Sequence, residues 1–274
     1  MEENFPIQID IEKVVKTKAP SLGKKLPSFL FRFLENTICQ EQMNYILRKY
    51  AGCEGVDFAK ALLSELNVTT NIAGLENIPD KGRFTFASNH PLGGLDGVSL
   101  VATFGEKYPS GIKFVVNDLL MNVKPLAPVF LPINKHGAQA KDAAEILAKA
   151  YESDQQIFVF PAGLVSRLQK GGIRDLEWKK SFITKTVQYQ RDVIPVYFDG
   201  LNSNFFYRLA RLRKKLGIKV NIEMIYLPSE LFKSRNKTFT IRIGKPIPWQ
   251  TFDNTKSQSE WAAYVKEIVY KLKQ

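Results

Sequence analysis

Short runs of consecutive apolar residues constrain the fold of this chain more than any other feature of its sequence. IFVF at 157–160 and VIPVYF at 193–198 show no alternation of apolar and polar positions, which indicates strands buried on both faces. Such strands need helices on both sides of their sheet. From residue 68 onward these runs alternate with helical patterns, and the alternation predicts an α/β layered fold with a mixed, mostly parallel central sheet.

The periodicity of apolar residues places the individual elements. Candidate strands lie at 68–73, 84–88, 112–116, 128–132, 157–160, 194–198, 220–226 and 239–243. Helical patterns lie between them at about 97–106, 118–123, 138–151, 176–190, 203–216 and 256–272. Residues from about 27 to 66 are also helical in pattern, with a gap between two helices near Gly52 and Gly55. We therefore predict an N-terminal helical segment at 1–66 and a second unit at 67–274.

The charge and the cysteine count limit the partners and the compartment. A net charge of +12 favours a polyanionic partner, which could be nucleic acid, anionic lipid or an acidic carrier protein. Cys39 and Cys53 provide neither a disulfide framework nor a zinc-binding spacing, and they suit a reducing cytosol. No apolar run approaches the ~20 residues that span a bilayer, so we expect any membrane contact to be peripheral or monotopic.

The segment FTFASNHPLGGLDGVSL at 84–100 carries the first candidate site. An apolar strand leads into Asn89 and His90, a glycine-rich turn follows, and Asp96 begins an apolar helix. Ligands of open α/β sheets bind beyond the carboxyl ends of the strands. A carboxylate that returns to a strand-end histidine fixes its tautomer and stabilises the imidazolium that forms when it accepts a proton. His90 and Asp96 are therefore the candidate catalytic pair, and a structural histidine beside an N-capping aspartate is the alternative.

The segment IFVFPAGLVSR at 157–167 carries the second candidate site. A buried strand ends at Pro161, Ala162 and Gly163, where small residues permit close approach of a ligand. Ser166 and Arg167 follow. Backbone N–H groups in such a turn could bind an oxyanion or a phosphate, although an ordinary turn is the alternative.

Together the two segments resemble the block motifs of the glycerolipid acyltransferase superfamily, which includes lysophosphatidate acyltransferases. The first block of that superfamily, N-H-x4-D after a strand, is similar to 88–91 with 96–97. The third block, F-P-E-G-T-R-S, is similar to 160–163. Weaker similarities lie at 129–135, a strand that ends in the basic residue Lys135, and at 194–196. The resemblance covers roughly residues 68–245.

Three departures from these motifs bear on the acceptor. Five residues rather than four separate His90 from Asp96, Ala162 replaces the third-block Glu, and Val165 replaces its Arg, with Arg167 two places on. In the superfamily the third-block Glu and Arg are associated with the glycerol-phosphate acceptor. The pattern is more similar to the divergent bacterial branch of hemolysin-like proteins and O-acyltransferases that make ornithine or glycine lipids.

The resemblance implies an acyltransferase-like fold and direct transfer of a fatty acyl chain from acyl carrier protein or CoA to the hydroxyl of a lyso-lipid, without a metal or other cofactor. It implies that His90 acts as the base and that Asp96 orients it. The acceptor would be a monoacylated amino-acid lipid or, alternatively, a 1-acylglycerol-3-phosphate. The residues predicted to contact substrate are Asn89, Gly93, Gly94, Lys135, Pro161, Ala162, Gly163, Ser166 and Arg167.

Two basic and apolar segments suit an anionic membrane at the cytoplasmic face of the inner membrane. They are FFYRLARLRKKLGIK at 205–219 and LPSFLFRFL at 26–34. The alternative for each is a surface helix whose apolar face packs on the protein. We find no nucleic-acid-binding motif and no G-x-S-x-G, P-loop or G-x-G-x-x-G signature. We therefore expect an anionic membrane surface as the partner and no nucleic acid.

Overall fold

The computed structural model describes residues 8–18, 26–108, 111–117, 120–121, 123–133 and 139–274. Lys135, one of the predicted substrate contacts, lies outside the described residues, and so do residues 118, 119 and 122 of the predicted helix at 118–123.

Helices and strands alternate after residue 68, as the sequence predicted. In chain order the elements are α1 (Ile11–Lys18), α2 (Ser28–Thr37), α3 (Gln40–Lys49), α4 (Gly55–Glu65), β1 (Thr69–Ala73), β2 (Phe84–Ser88), α5 (Gly94–Phe104), β3 (Ile112–Asn117), β4 (Phe130–Ile133), α6 (Gln139–Glu152), β5 (Gln156–Val159), β6 (Arg167–Gln169), β7 (Gly172–Arg174), α7 (Ser181–Gln188), β8 (Asp192–Asp199), α8 (Asn204–Lys215), α9 (Leu227–Phe232), β9 (Thr238–Ile243) and α10 (Gln258–Lys271).

The central sheet is mixed and mostly parallel, which confirms the predicted fold class. Its strand order is β1-β9-β8-β2-β5-β3-β4, and only the β8–β9 pair is antiparallel. Strand β2 lies in the interior of the sheet between β8 and β5, and all five of its residues are buried. Its carboxyl end, at Ser88, leads directly into the histidine-containing loop. Strands β6 and β7 form a separate antiparallel hairpin.

The two faces of the sheet bury two hydrophobic clusters. On one face, Phe86 stacks on Phe158 with ring centroids 4.3 Å apart, and helices α3, α4 and α5 cover these rings. On the other face, Ala87 and Val159 pack with helices α6, α7 and α10. The burial of each large side chain contributes roughly 1.5–3 kcal/mol. Helices α3 and α4 thus share a core with the sheet. The division into an N-terminal helical segment at 1–66 and a second unit at 67–274 stays a prediction.

Arg191 supports the back of the site by holding β2, α6 and the start of β8 together. Its side chain is fully buried. The guanidinium donates to the carbonyl oxygens of Tyr151 (2.8 Å), Gln155 (2.9 Å), Phe84 (3.2 Å), Ala150 (3.3 Å) and Ser153. These bonds satisfy carbonyl groups at and beyond the end of α6 that lack partners within the helix. Burial, together with the nearby charge of Arg83, lowers the pKa of Arg191 to about 10.

The clearest error of the sequence prediction lies at 220–226. The alternating pattern of VNIEMIY predicted a strand, but Ile222–Tyr226 forms a 3₁₀ helix. The physical reason is Glu223, which is completely buried and pairs with Arg167 at 2.8 Å and with Arg213 at 3.0 Å. A long-range ion pair of this kind leaves no trace in local periodicity.

Smaller differences concern element boundaries. The first of the two helices predicted within 27–66 is divided into α2 and α3 at Cys39, whose φ is +53°. The predicted strand at 128–132 starts only at Phe130, because Lys124–Val129 forms a 3₁₀ helix. The β6–β7 hairpin was not predicted, because each strand has three residues and carries no readable periodicity.

Candidate active site

The candidate active site begins at the carboxyl end of β2, where Asn89 anchors the loop. The side chain of Asn89 donates from Nδ2 to the carbonyl oxygen of Phe198 at 2.9 Å and accepts from the N–H of Phe198 at 2.7 Å. The amide therefore extends the β2–β8 pairing beyond the last residue of β2. Asn89 is 2% exposed, and its amide hydrogen-bonds to the backbone of β8, so its contact in the structure is a structural one. Its predicted contact with substrate stays a prediction.

His90 and Asp96 lie together as predicted. Nδ1 of His90 is 3.0 Å from Oδ2 of Asp96, and the Asp96 side chain is completely buried. The same carboxylate accepts from the N–H groups of Leu92 (2.9 Å), Gly93 (3.3 Å) and Gly97 (2.9 Å). Asp96 is the third residue of α5, so its negative charge is also favoured by the helix N-terminus. The aspartate thus serves the start of its helix and the histidine at once.

This geometry sets the chemistry of the imidazole. Since the Asp96 carboxylate accepts, Nδ1 carries the hydrogen and Nε2 keeps the lone pair. Burial lowers the pKa of His90, but the charge and hydrogen bond of Asp96 and the charge of Asp175 outweigh it, so the pKa lies above its ordinary value. The ring also stacks on Phe160 with centroids 4.1 Å apart. His90 is therefore oriented and made more basic.

The glycine-rich turn absorbs the extra residue between His90 and Asp96. Gly93 has a φ of +87°, and a Cβ atom there would lie 3.0 Å from Leu227 and 3.3 Å from Val165. The neighbouring Gly94 is exposed. Position 93 therefore requires glycine both for its backbone conformation and for the close approach of α9.

The turn after β5 lies beside His90, because Phe160 precedes it. The N–H of Gly163 donates to the carbonyl oxygen of Phe160 at 2.9 Å, so this donor is engaged within the turn. Pro161 and Ala162 are buried, and Gly163 has a φ of +65°. A Cβ atom at Gly163 would lie 2.5 Å from Nζ of Lys179. The glycine thus makes room for a lysine that no sequence motif had indicated.

Arg167 points into the protein rather than towards the turn. Its side chain is 9% exposed and pairs with Glu223, and Nη1 donates to the carbonyl oxygen of Val165 at 2.6 Å. Burial lowers the pKa of Arg167, although the charge of Glu223 opposes this shift. The predicted contact of Arg167 with substrate must compete with this ion pair.

Ser166 and Asp175 join the two predicted segments. The N–H of Ser166 donates to the carbonyl oxygen of His90 at 2.8 Å, and Oγ of Ser166 donates to Oδ1 of Asp175 at 2.5 Å. Two neighbouring segments, the loop after β2 with the first turn of α5 and the segment after β5, therefore contain the predicted site residues His90, Gly93, Gly94, Asp96, Pro161, Ala162, Gly163 and Ser166. Asp175 was not predicted, since it lies beyond the motif. Within the ranges that the structure describes, no group of three or more His, Cys, Asp or Glu side chains could hold a metal ion.

A strand-end histidine with a buried carboxylate partner has the geometry that general-base catalysis requires. The sequence model of the family described as Acyltransferase matches residues 13–274. This chain belongs to that acyltransferase family.

Two relatives are similar along their whole length. A lyso-glycine lipid O-acyltransferase from Bacteroides thetaiotaomicron is 52% identical over 272 residues, covering 99% of this chain and 100% of the relative. The protein of the same name from Phocaeicola vulgatus is 51% identical, covering 99% and 98%. Among solved structures, a 1-acyl-sn-glycerophosphate acyltransferase from Thermotoga maritima aligns with a TM-score of 0.47 and 17% identity, covering 88% of this chain and 91% of that one.

Proposed function

We propose that the protein transfers a fatty acyl chain from an acyl thioester, carried by acyl carrier protein or CoA, to the hydroxyl of a lyso-lipid. The observation that carries this proposal is the His90–Asp96 pair, whose 3.0 Å contact lies at the carboxyl end of an interior strand. Membership of the acyltransferase family supports the reaction type, and the names of the two relatives support a lyso-lipid as the acceptor.

The proposed mechanism is a direct transfer in which His90 moves one proton. Nε2 of His90 takes the proton of the acceptor hydroxyl while the hydroxyl oxygen attacks the thioester carbonyl carbon. Asp96 stabilises the imidazolium that forms. As the tetrahedral intermediate collapses, the C–S bond breaks, the ester bond remains, and the imidazolium returns its proton to the leaving thiolate. A thiolate leaves readily, so this route requires no covalent enzyme intermediate.

We propose that the acceptor is a monoacylated amino-acid lipid, specifically a lyso-glycine lipid. Ala162 and Val165 stand where related motifs carry Glu and Arg, so the turn lacks the forked guanidinium that binds phosphate well. The guanidinium of Arg167 is paired with Glu223. The ammonium of Lys179 lies beside Gly163, so the turn carries a positive charge that favours an anionic acceptor group such as a carboxylate. The name of both relatives, lyso-glycine lipid O-acyltransferase, agrees with such an acceptor.

A substrate comparison tests this assignment. Purified enzyme is given a lyso-glycine lipid or a lysophosphatidate, each with acyl carrier protein and with CoA as the acyl donor, and kcat/KM is measured. We expect a clear preference for the lyso-glycine lipid. A preference for lysophosphatidate would refute the amino-acid-lipid acceptor and would leave the acyl transfer chemistry standing.

A pair of lysine variants tests the role of Lys179. Lys179→Met should raise KM for the lyso-glycine lipid about 10-fold or more, because a charged hydrogen bond contributes about 1.5–3 kcal/mol. Lys180→Met is the matched control, since this exposed neighbour is the N-cap residue of α7 and should leave KM unchanged. Equal KM values for the two variants would remove Lys179 from the acceptor site.

We also propose that the reaction takes place on an anionic membrane, at the cytoplasmic face of the inner membrane. No helix within the described ranges is long and apolar enough to cross a bilayer. The segment 201–225, which we call the 201–225 surface, instead leaves many apolar side chains in solvent. They are Leu201, Phe205, Leu212, Leu216, Ile218, Val220, Ile222 and Ile225. Exposed cations accompany them at Arg208, Arg211, Lys214, Lys215 and Lys219.

The 201–225 surface lies next to the candidate active site. Asn202 donates from Nδ2 to the carbonyl oxygen of Pro91 at 3.1 Å, so Leu201 lies close to the histidine loop. The packed face of α8 consists of Phe206, Tyr207 and Ala210. Leu212 and Leu216 do not belong to it, because they are 53% and 66% exposed. On α2, Phe29 and Phe33 are likewise 69% and 53% exposed. A lipid acceptor could keep its chain in the bilayer while its hydroxyl reaches His90.

Vesicle sedimentation tests the membrane proposal. The wild-type protein should sediment with anionic vesicles more than with neutral ones, and salt should release part of it, because each cation near an anionic surface contributes about 1 kcal/mol. The double variant Leu216→Asp, Val220→Asp should lose most of this binding. Ile146→Asp is the matched control, since Ile146 is 48% exposed on α6. Equal losses in the two proteins, or equal binding to both kinds of vesicle, would contradict the proposal.

A further inference from the structure

Asp175, immediately after β7, is completely buried, and its carboxylate joins three segments of the site. Oδ1 accepts from the backbone N–H of His90 at 3.2 Å and from Oγ of Ser166 at 2.5 Å. Oδ2 accepts from Nε1 of Trp178 at 2.9 Å. A backbone amide and an indole N–H can only donate, so this arrangement suits an ionised carboxylate.

The position of Asp175 is itself fixed by α10. Its N–H donates to the hydroxyl oxygen of Tyr270 at 2.7 Å, and its carbonyl oxygen accepts from Nζ of Lys266 at 2.9 Å. Because both the main chain and the side chain of Asp175 are held, the residue can serve as a rigid support for the loop that it contacts.

The peptide groups on either side of His90 are both secured through this cluster. The N–H of His90 donates to Asp175, and its carbonyl oxygen accepts from the N–H of Ser166 at 2.8 Å. Ser166 in turn donates to Asp175, which closes a ring of three hydrogen bonds between the histidine loop and the segment after β5. Asp96 fixes the imidazole ring of His90, whereas Asp175 fixes the backbone that carries it.

We propose that Asp175 is a positioning residue for acyl transfer, which holds the backbone of His90 and adds a second negative charge beside the imidazole. The inference rests on the proposed role of His90 as the base. A displacement of about 1 Å in a reacting group can cost ~100-fold in rate, so loss of this support should reduce turnover strongly.

The charged groups that face His90 come from three elements. Asp96 lies on α5, Asp175 follows β7, and Arg167 belongs to β6. Burial lowers the pKa of His90 most, Asp96 and then Asp175 raise it, and Arg167 lowers it. The pKa of Asp175 is itself raised by burial, and its three hydrogen-bond donors oppose that shift. Removal of the Asp175 charge should therefore make His90 a weaker base.

Asp175→Asn separates positioning from simple structural support. We expect kcat to fall about 10- to 100-fold with little change in the acceptor KM. The acidic limb of the kcat–pH profile should move to lower pH, because the neutral form of His90 now persists to lower pH. Tyr270→Phe is the matched control: it removes the partner of the Asp175 N–H but keeps the carboxylate, so the limb should stay in place.

Other outcomes overturn the inference. A wild-type kcat in Asp175→Asn would leave Asp175 a purely structural residue. The same conclusion would follow if kcat fell while the acidic limb stayed in place and the melting temperature changed as much as in Tyr270→Phe. If Asp175→Asn fails to fold, Trp178→Phe serves instead, because it removes one hydrogen-bond donor to Asp175 and keeps the Asp175 charge. This variant should lower kcat several-fold. A wild-type kcat in Trp178→Phe would overturn the inference as well. An inactive wild-type enzyme, or an active His90→Ala variant, would instead refute the proposed function itself.

Discussion

Asp96→Asn is the most informative single substitution, because it changes one charge inside a fully described set of hydrogen bonds. The Asp96 carboxylate accepts four: one from His90 and three from backbone N–H groups, of which only that of Gly97 goes to Oδ1. An asparagine keeps one oxygen and places an NH₂ group at the other position. With the oxygen at the Oδ2 position, the NH₂ group faces the N–H of Gly97. Either orientation leaves buried N–H donors without an acceptor, which should lower the free energy of unfolding by about 1–3 kcal/mol.

The larger effect should fall on the rate. If the amide oxygen faces His90, the hydrogen stays on Nδ1, but the imidazolium loses its counter-charge. If the NH₂ group faces His90, Nδ1 must accept, so the hydrogen moves to Nε2 and the base has the wrong tautomer. Loss of a partner of this kind from a His-carboxylate pair costs about 10²–10⁴-fold in kcat, equivalent to about 3–5 kcal/mol in the barrier. Stability should fall by less than the barrier rises.

The sign of the pH dependence follows from the raised pKa of His90. A base must be neutral, so kcat falls as the pH drops through the pKa of His90, which lies above its ordinary value in the wild-type protein. In Asp96→Asn the main charge that raises this pKa is absent, and the acidic limb should move to lower pH. The assay is the initial rate of transfer of a radiolabelled acyl chain, measured from pH 5 to 9. A kcat near that of the wild type, or an unmoved limb, would refute this reasoning.

Two further predictions concern the frame around the site. Gly93→Ala should destabilise the protein by about 1–3 kcal/mol and lower kcat, because the residue has a φ of +87° and a Cβ would press on Leu227. Gly171→Ala is the control, since Gly171 has a φ of +96° but open space around it. That variant should show only the cost of the backbone conformation and no loss of kcat. Arg191→Met should lower the free energy of unfolding by about 3–5 kcal/mol in chemical denaturation, because several buried carbonyl groups lose their donor. Arg83→Met, which removes hydrogen bonds to the carbonyl oxygens of Glu152 and Tyr189, should cost much less, and equal costs would contradict the role given to Arg191.

Local pattern was sufficient for the parts of the fold that local physics dictates. Fully apolar runs predicted β5 and β8, because a strand that is buried on both faces needs apolar residues at successive positions. The strand-loop-helix order around His90 predicted its contact with Asp96, since the return of the chain after a short turn leaves few alternatives. These features depend on residues that are close together in the sequence.

Features that depend on distant partners could not be predicted. Glu223 lies 56 residues after Arg167, and their ion pair turned a strand-like alternation into a 3₁₀ helix. Asp175 lies 85 residues after His90, and no spacing rule connects the two. Lys179 lies 16 residues after Gly163, and only the tertiary fold places its ammonium beside that glycine. In each case the tertiary fold brings together a charge and a partner that local sequence keeps apart.

The most direct test of the central claim is the initial rate of acyl transfer to a lyso-glycine lipid by three folded proteins: the wild type, His90→Ala and His136→Ala. Removal of a general base costs about 10²–10⁴-fold, so His90→Ala should retain at most about one per cent of the wild-type kcat. His136→Ala removes the only other histidine of the chain and should retain the wild-type rate. A His90→Ala enzyme that turns over near the wild-type rate, or equal losses in both variants, would contradict the assignment of His90 as the base.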